Sequence, residues 1–180
     1  PSYEKTLSSA EINSVVKYIR DSEKKVGAVK PPISKIVETL DYNVKIETFA
    51  EGLEVPWAID FIDATTALIT ERPGRLRVVK NGKLLTDAVK NTPKVLNEGQ
   101  GGLLDVAIDP DYNNNGWIYL AYSHVLENIT GEERPPAMTR LERGKIKNNT
   151  WTESEIIFEA PHETYRTTRH HYGCRIVFDP

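Results

Sequence analysis

The chain has little cysteine, little net charge and no long apolar run. Among its 180 residues the single cysteine, Cys174, excludes an internal disulfide and leaves the redox compartment open. With 23 basic and 26 acidic residues the net charge is −3, which argues against a nucleic-acid partner. No apolar segment reaches the roughly 20 residues that cross a bilayer. Hydrophobic residues make up 39%, which is enough for the core of a globular protein.

The two ends of the chain carry no start or stop signal. The sequence begins at Pro1 with neither an initiator methionine nor a signal sequence, and it finishes at Pro180 in what resembles the turn after a strand. We therefore expect an internal piece of a longer protein, so the absent signal peptide does not indicate where the protein is located.

One helix is predicted, over residues 7–25. Ser8 is a suitable N-cap, and Glu11 follows at the spacing of a capping box. Apolar residues then recur on a single helical face: Ile12, Val15, Val16 and Ile19. Residues 26–43, with two prolines and no sustained period, are predicted to form a linker.

From Asn43 onward the pattern changes to short strands bounded by turns. Two sets of four strands are predicted, each forming an up-and-down sheet. The first set is 55–62, 66–71, 75–80 and 83–89, and the second is 102–108, 117–123, 138–145 and 151–160. Asn81 and Gly82 form a two-residue hairpin turn, and residues 124–137 form a polar insertion. A third set is predicted to begin with residues 175–178.

The first strand of each set begins with a similar motif. The segments PWAIDFID, LLDVAIDPD and CRIVFDP place Phe61, Ile108 and Phe178 in equivalent positions, 47 and then 70 residues apart. Repeats of this kind are typical of β-propeller blades. We predict an all-β fold, a partial propeller of about two blades and the start of a third, preceded by one short helix. A two-layer β-sandwich is the alternative, but it does not explain why the motif returns.

Two segments contain residues suited to chemistry. In the first, three glycines surround Gln100, whose amide can reach a ligand from a tight loop; a flexible turn is the alternative interpretation. In the second, His170 and His171 precede Cys174. If this segment is an extended strand, the two histidines point in opposite directions and Cys174 lies on the face opposite His171. That arrangement disfavours a shared metal and a Cys/His nucleophile, and leaves a general base or a structural histidine.

An acidic run resembles the start of a calcium-binding loop. Asp109, Asp111, Asn113 and Asn115 have suitable spacing, but Asn114 stands where an EF-hand needs glycine, and the final glutamate ligand is missing. We interpret this run as an Asx-rich turn and predict no metal ligand in it.

Four longer motifs occur together and in a fixed order. They are VPWAIDF, LITERPGRLRVV, GQGGLLDVAIDPDYNNNGWIYLAYS and HHYGCRIVFDP. Through them residues 44–180 resemble the N-terminal part of the glucose/sorbosone dehydrogenase family, the soluble quinoprotein aldose sugar dehydrogenases. The resemblance implies a six-bladed propeller that uses pyrroloquinoline quinone and calcium to oxidise the anomeric carbon of an aldose to a lactone. It implies that Gln100 binds cofactor and substrate, that His171 is the catalytic base, and that His170 lines the substrate site. The calcium ligands are expected beyond residue 180.

The first 25 residues resemble a different kind of protein. The segment PSYEKTLSSAEINSVVKYIRD is similar to the C-terminal helix of a class I cytochrome c domain, which implies an upstream haem c and a route for electrons that leave the quinone. The chain itself contains no CxxCH haem-attachment motif. Together the resemblances imply a periplasmic or secreted enzyme. The alternative is a non-catalytic propeller that serves as a binding or adhesion module.

Overall fold

A computed structural model describes residues 8–25, 34–126 and 134–179. The chain divides into two compact units, Pro1–Thr48 and Phe49–Pro180. The first unit contains helix α1 (Ser9–Lys25) and a two-stranded antiparallel sheet of β1 (Ser34–Glu38) and β2 (Asn43–Glu47). Within the described residues no helix is long and apolar enough to cross a membrane.

Helix α1 begins where its capping residues predict. The Ser8 N–H donates to Glu11 Oε2 at 2.8 Å, and the Glu11 N–H donates back to Ser8 Oγ at 3.4 Å. These two bonds satisfy amide groups that the first helical turn leaves without partners, so the helix starts at Ser9, directly after the predicted N-cap, although the predicted range began at residue 7.

The predicted linker over residues 26–43 contains strand β1, which the sequence analysis missed. Five residues of β1 pair in register with β2, from Ser34 opposite Glu47 to Glu38 opposite Asn43. A hydrogen bond within the turn between them stabilises it: Thr39 Oγ1 donates to the Tyr42 carbonyl at 2.7 Å. A short strand without apolar alternation gives no period-2 signal, so only its partner reveals it.

The second unit consists of two four-stranded antiparallel sheets in which each strand pairs with the next. The first sheet is β3 (Pro56–Asp63), β4 (Thr66–Glu71), β5 (Arg75–Lys80) and β6 (Lys83–Leu84). The second is β7 (Leu103–Ile108), β8 (Ile118–Val125), β9 (Ala137–Lys147) and β10 (Thr150–Glu159). The predicted pair of up-and-down sheets is therefore confirmed, including the turn at Asn81 and Gly82, both of which have positive φ.

Two predicted strands differ from the structure: one is shorter than predicted and one is not formed within the described residues. Strand β6 has two residues rather than the seven predicted, and in the residues that follow it Arg77 Nη2 donates to the Leu85 carbonyl at 3.0 Å and to the Thr86 carbonyl at 3.4 Å. Residues 175–178 form no strand with any described part of the chain. A strand needs a ladder partner, and here the Ile176 N–H donates instead to a side chain, Asp105 Oδ2, at 2.7 Å.

The hydrophobic core lies between the two sheets. Strand β7 contacts β3 and β4, and β8 is buried along most of its length, as its apolar residues on both faces predict. The main cluster combines both sheets: Leu68, Leu76, Val89, Leu103, Val106, Ile118, Leu120, Tyr122 and Trp151. Hydrogen bonds between Leu96 and Ser123 hold the loop between β6 and β7 against β8.

Each sheet also accepts a backbone hydrogen bond from the segment that begins the next repeat. Asp60 in β3 accepts from the Ile108 N–H at 2.7 Å, and Asp105 in β7 accepts from the Ile176 N–H at 2.7 Å. Asp105 is almost fully buried, and burial raises the pKa of its carboxyl despite the Ile176 hydrogen bond and the nearby Arg175. The second bond anchors the segment that follows the histidine pair.

We expect Leu120→Ala to destabilise the protein by about 3 kcal/mol, because the removed atoms leave a cavity in a fully buried position. Urea denaturation of the full chain measures this change. The matched control is Leu40→Ala at an exposed position, where the free energy of unfolding should stay within about 0.5 kcal/mol. Equal effects at the two sites would contradict the assignment of the core.

Asp105→Asn tests the buried carboxyl through its pH dependence. Because the folded-state pKa is raised, the folded protein binds this proton more tightly than the unfolded chain, so stability from this group is largest at low pH and is lost as pH rises through the folded-state pKa. Asparagine keeps an acceptor for Ile176 and cannot ionise. As the pH rises from about 3 to about 7, the free energy of unfolding of the wild type should fall relative to that of Asp105→Asn. A pH-independent difference between the two proteins would refute this account.

Candidate active site

The loop that joins β6 to β7 is held by backbone contacts. The Gln100 N–H donates to the Arg169 carbonyl at 2.8 Å, and the Gly101 N–H donates to the Glu98 carbonyl at 2.8 Å. Gly99 has φ +56°, and a Cβ there would overlap the Arg169 carbonyl oxygen. Glycine is required at this position because a side chain would keep the two segments apart.

The second segment meets this loop at its glutamine. The His171 N–H donates to Gln100 Oε1 at 2.9 Å, across 71 positions of sequence. Both residues are exposed. The two segments singled out in the sequence therefore lie together in the structure.

The histidine pair does not lie in an extended strand, so the side-chain directions inferred for such a strand do not hold. His171 has φ +65°, a left-handed conformation that breaks the alternation of side chains along a strand. The rings of His170 and His171 consequently lie on the same side, with centroids 4.5 Å apart, rather than pointing in opposite directions. The alternation that was used to separate Cys174 from His171 does not apply here.

An ion pair that the sequence motifs do not predict joins the two segments. Arg169 is 6% exposed, and its Nε donates to Glu98 Oε2 at 2.7 Å. This charge-assisted hydrogen bond lowers the pKa of Glu98 below its ordinary value. The available signal was a glutamate two residues before Gln100 and an arginine two residues before His171.

A second arginine lies against the same loop. Arg72, which follows β4, donates from Nη1 to the Gly99 carbonyl, and its own carbonyl accepts the Leu103 N–H at 3.0 Å. Its Nε is buried and has no hydrogen-bond partner among the described residues. No carboxylate in the described part of the chain forms an ion pair with it. A cationic donor is thus available beside Gln100 for an anionic ligand.

The acidic run after β7 is an Asx-rich turn, as predicted. Asp109 accepts hydrogen bonds from Asn115 Nδ2 at 2.8 Å, the Tyr119 hydroxyl at 3.0 Å and the Asp111 N–H at 2.9 Å. The turn contains a short helix, α2 (Tyr112–Asn115). Across residues 8–25, 34–126 and 134–179 there is no cluster of three side chains suited to a metal ion.

The arrangement around Gln100 and His171 suits proton transfer at a hydroxyl group. The exposed imidazole of His171 is accessible to a ligand, and its backbone is fixed by the glutamine. Because Gln100 Oε1 is occupied by this bond, Nε2 of the same amide stays a donor; no protein partner is described for it.

The chain matches a known family over most of its length. Residues 53–180 fit the family described as Glucose / Sorbosone dehydrogenase. The chain belongs to the glucose/sorbosone dehydrogenase family. Both segments of the candidate site lie within the matched residues.

Two curated relatives of this family member are at least 30% identical. The aldose sugar dehydrogenase YliI of Escherichia coli is 34% identical over 139 residues, and an uncharacterized protein of Synechocystis, slr1608, is 30% identical over 154 residues. These alignments cover 76% and 81% of this chain but only 35% of each relative. The chain thus spans about a third of the length of the relatives that it matches.

Solved structures give the architecture. The soluble aldose sugar dehydrogenase of Escherichia coli in its apo form matches with a TM-score of 0.64 and 33% identity, covering 73% of this chain and 37% of that one. A glucose dehydrogenase matches with a TM-score of 0.53 and 35% identity, over 59% of this chain and 30% of that one. The two sheets correspond to part of the aldose sugar dehydrogenase propeller, which confirms the predicted partial propeller over a sandwich.

Gln100→Ala should release the backbone of His171, because it removes the only described acceptor for that N–H. Loss of one such bond, worth about 1 kcal/mol, should speed amide hydrogen exchange at His171 about fivefold. Gln100→Glu keeps an oxygen acceptor and serves as the control. Exchange that is equally fast in the wild type and in Gln100→Ala would show that the bond does not hold the segment.

Proposed function

We propose that the whole protein is an aldose sugar dehydrogenase dependent on pyrroloquinoline quinone, which oxidises the anomeric carbon of a sugar to a lactone. The observation that carries this proposal is the meeting of Gln100 and His171 in a member of the family. The name of the Escherichia coli relative supports an aldose as the substrate.

The residues at the site fit such a cofactor. Pyrroloquinoline quinone is a planar tricarboxylate rich in oxygen acceptors, and Arg72 offers a buried guanidinium nitrogen without a partner beside the loop. Gln100 Nε2 offers a further donor. We infer that these two side chains bind one edge of the group. When bound, the quinone supplies the hydride acceptor.

The chain's own residues then have separate tasks. His171 takes the proton from the anomeric hydroxyl, as a general base must be exposed to its substrate and held in a defined place. Gln100 holds His171 by its backbone N–H. His170, whose ring contacts that of His171, lines the substrate site.

Further parts of the proposal concern the complete protein. Three predictions remain. They are calcium with ligands beyond residue 180, a haem c in an upstream cytochrome c-like domain that ends with α1, and a periplasmic or secreted location. An upstream CxxCH motif in the complete sequence would support the electron-transfer domain.

His171→Ala should lower sugar-dependent dye reduction by about 10²- to 10⁴-fold, because the general base is lost. Binding of the quinone, followed by its absorbance, should change little. His162→Ala is the control, since His162 is an exposed histidine in the 3-10 turn His162–Thr164 and should leave turnover unchanged. Wild-type turnover in His171→Ala would remove this residue from the mechanism, and sugar binding without oxidation in the wild type would favour the non-catalytic binding module.

A further inference from the structure

Arg169 connects three segments that meet at the candidate site. Its Nε binds Glu98, its Nη2 donates to the Pro135 carbonyl at 2.8 Å, and its Nη1 donates to the Thr167 carbonyl at 3.1 Å. Its own carbonyl accepts the Gln100 N–H at 2.8 Å. One residue thus contacts the glutamine loop, the end of the insertion before β9 and the start of its own segment.

Three contacts join the two segments of the candidate site. Residues 98–100 and 169–171 are joined by the Glu98–Arg169 ion pair, by the Gln100 N–H to the Arg169 carbonyl, and by the His171 N–H to Gln100 Oε1. In the last of these contacts both residues, Gln100 and His171, are exposed. The other two contacts both involve Arg169, whose side chain is buried.

The ion pair is asymmetric in burial. The Arg169 side chain is 5% exposed, whereas that of Glu98 is 50% exposed. A buried guanidinium must keep its hydrogen-bond acceptors, and removal of one leaves an unsatisfied donor on a desolvated charge, which favours movement of the chain toward water. Arg134, at 3.7 Å from Glu98, adds a second cation at the exposed side.

We propose that Glu98 and Arg169 are positioning residues for His171, which set the placement of its imidazole through Gln100 and the intervening backbone. The effect on catalysis rests on the proposed function; the effect on the placement of the ring does not. The pair lies in loops and contributes no side chain to the main hydrophobic cluster, so its disruption should act on the site more than on global stability.

Glu98→Ala in the whole protein tests this role with two readouts. The first is the NMR signal of the His171 imidazole, which should shift or broaden while that of His162 stays in place. The second is the steady-state oxidation of glucose, with added pyrroloquinoline quinone, calcium and a dye acceptor. We expect kcat to fall roughly 10- to 100-fold with KM changed less than about threefold, since a displaced base affects the reaction step more than binding.

Matched variants separate positioning from loss of charge. Glu98→Gln retains an oxygen acceptor for Arg169 Nε and should recover most of kcat. Arg169→Lys keeps the charge but cannot reach Glu98, Pro135 and Thr167 together, so it should displace the His171 signal. Glu155→Ala is the control, because Glu155 is 54% exposed and pairs with Arg143 at 2.6 Å on the β9–β10 surface.

The outcomes distinguish the two proposals. An unchanged His171 signal together with wild-type kcat in Glu98→Ala would overturn the positioning role, as would an unchanged signal in Arg169→Lys if the alanine variant fails to fold. A displaced His171 signal in a protein whose wild type oxidises no sugar would support the positioning role and reject the proposed function.

Discussion

The hydrogen bond from the His171 N–H to Gln100 Oε1 is the contact on which the candidate site depends. It joins loops from successive sheets, and it requires an unusually close approach of their backbones. Gly99 permits that approach because a side chain there would overlap the Arg169 carbonyl. His171 in turn adopts a left-handed conformation, which directs its ring beside that of His170. The arrangement of the site therefore depends on the backbone conformation at Gly99 and His171 as well as on the Gln100 side chain.

The two packed sheets carry the two loops that meet at this contact. They share one hydrophobic core, in which the inner strand β8 is buried along most of its length. The buried carboxylate of Glu142 has two hydrogen-bond partners there: it accepts from the Tyr122 hydroxyl at 3.0 Å and from Trp151 Nε1 at 2.8 Å. Hydrogen bonds to Asp60 and Asp105 then connect each sheet to the segment that follows it.

The described residues provide part of the chemistry expected of the family. They contain an exposed imidazole, an amide donor and a guanidinium donor, but no cluster of metal ligands. The matched relatives are about three times as long as the aligned region. Sugar oxidation is accordingly a property proposed for the whole protein, whereas the meeting of the two loops belongs to this chain.

Local signals in the sequence determined the capped start of α1, the hairpin turn at Asn81 and Gly82, and most strands of the two sheets, because each depends on neighbours within a few residues. Motifs carrying Gln100 and His171 also indicated the site. Only the tertiary structure decided the pairing of β1, the short β6, the left-handed backbone at His171 and the ion pair between Glu98 and Arg169. Each of these depends on a partner or an environment supplied by other parts of the fold, which no local period or propensity encodes.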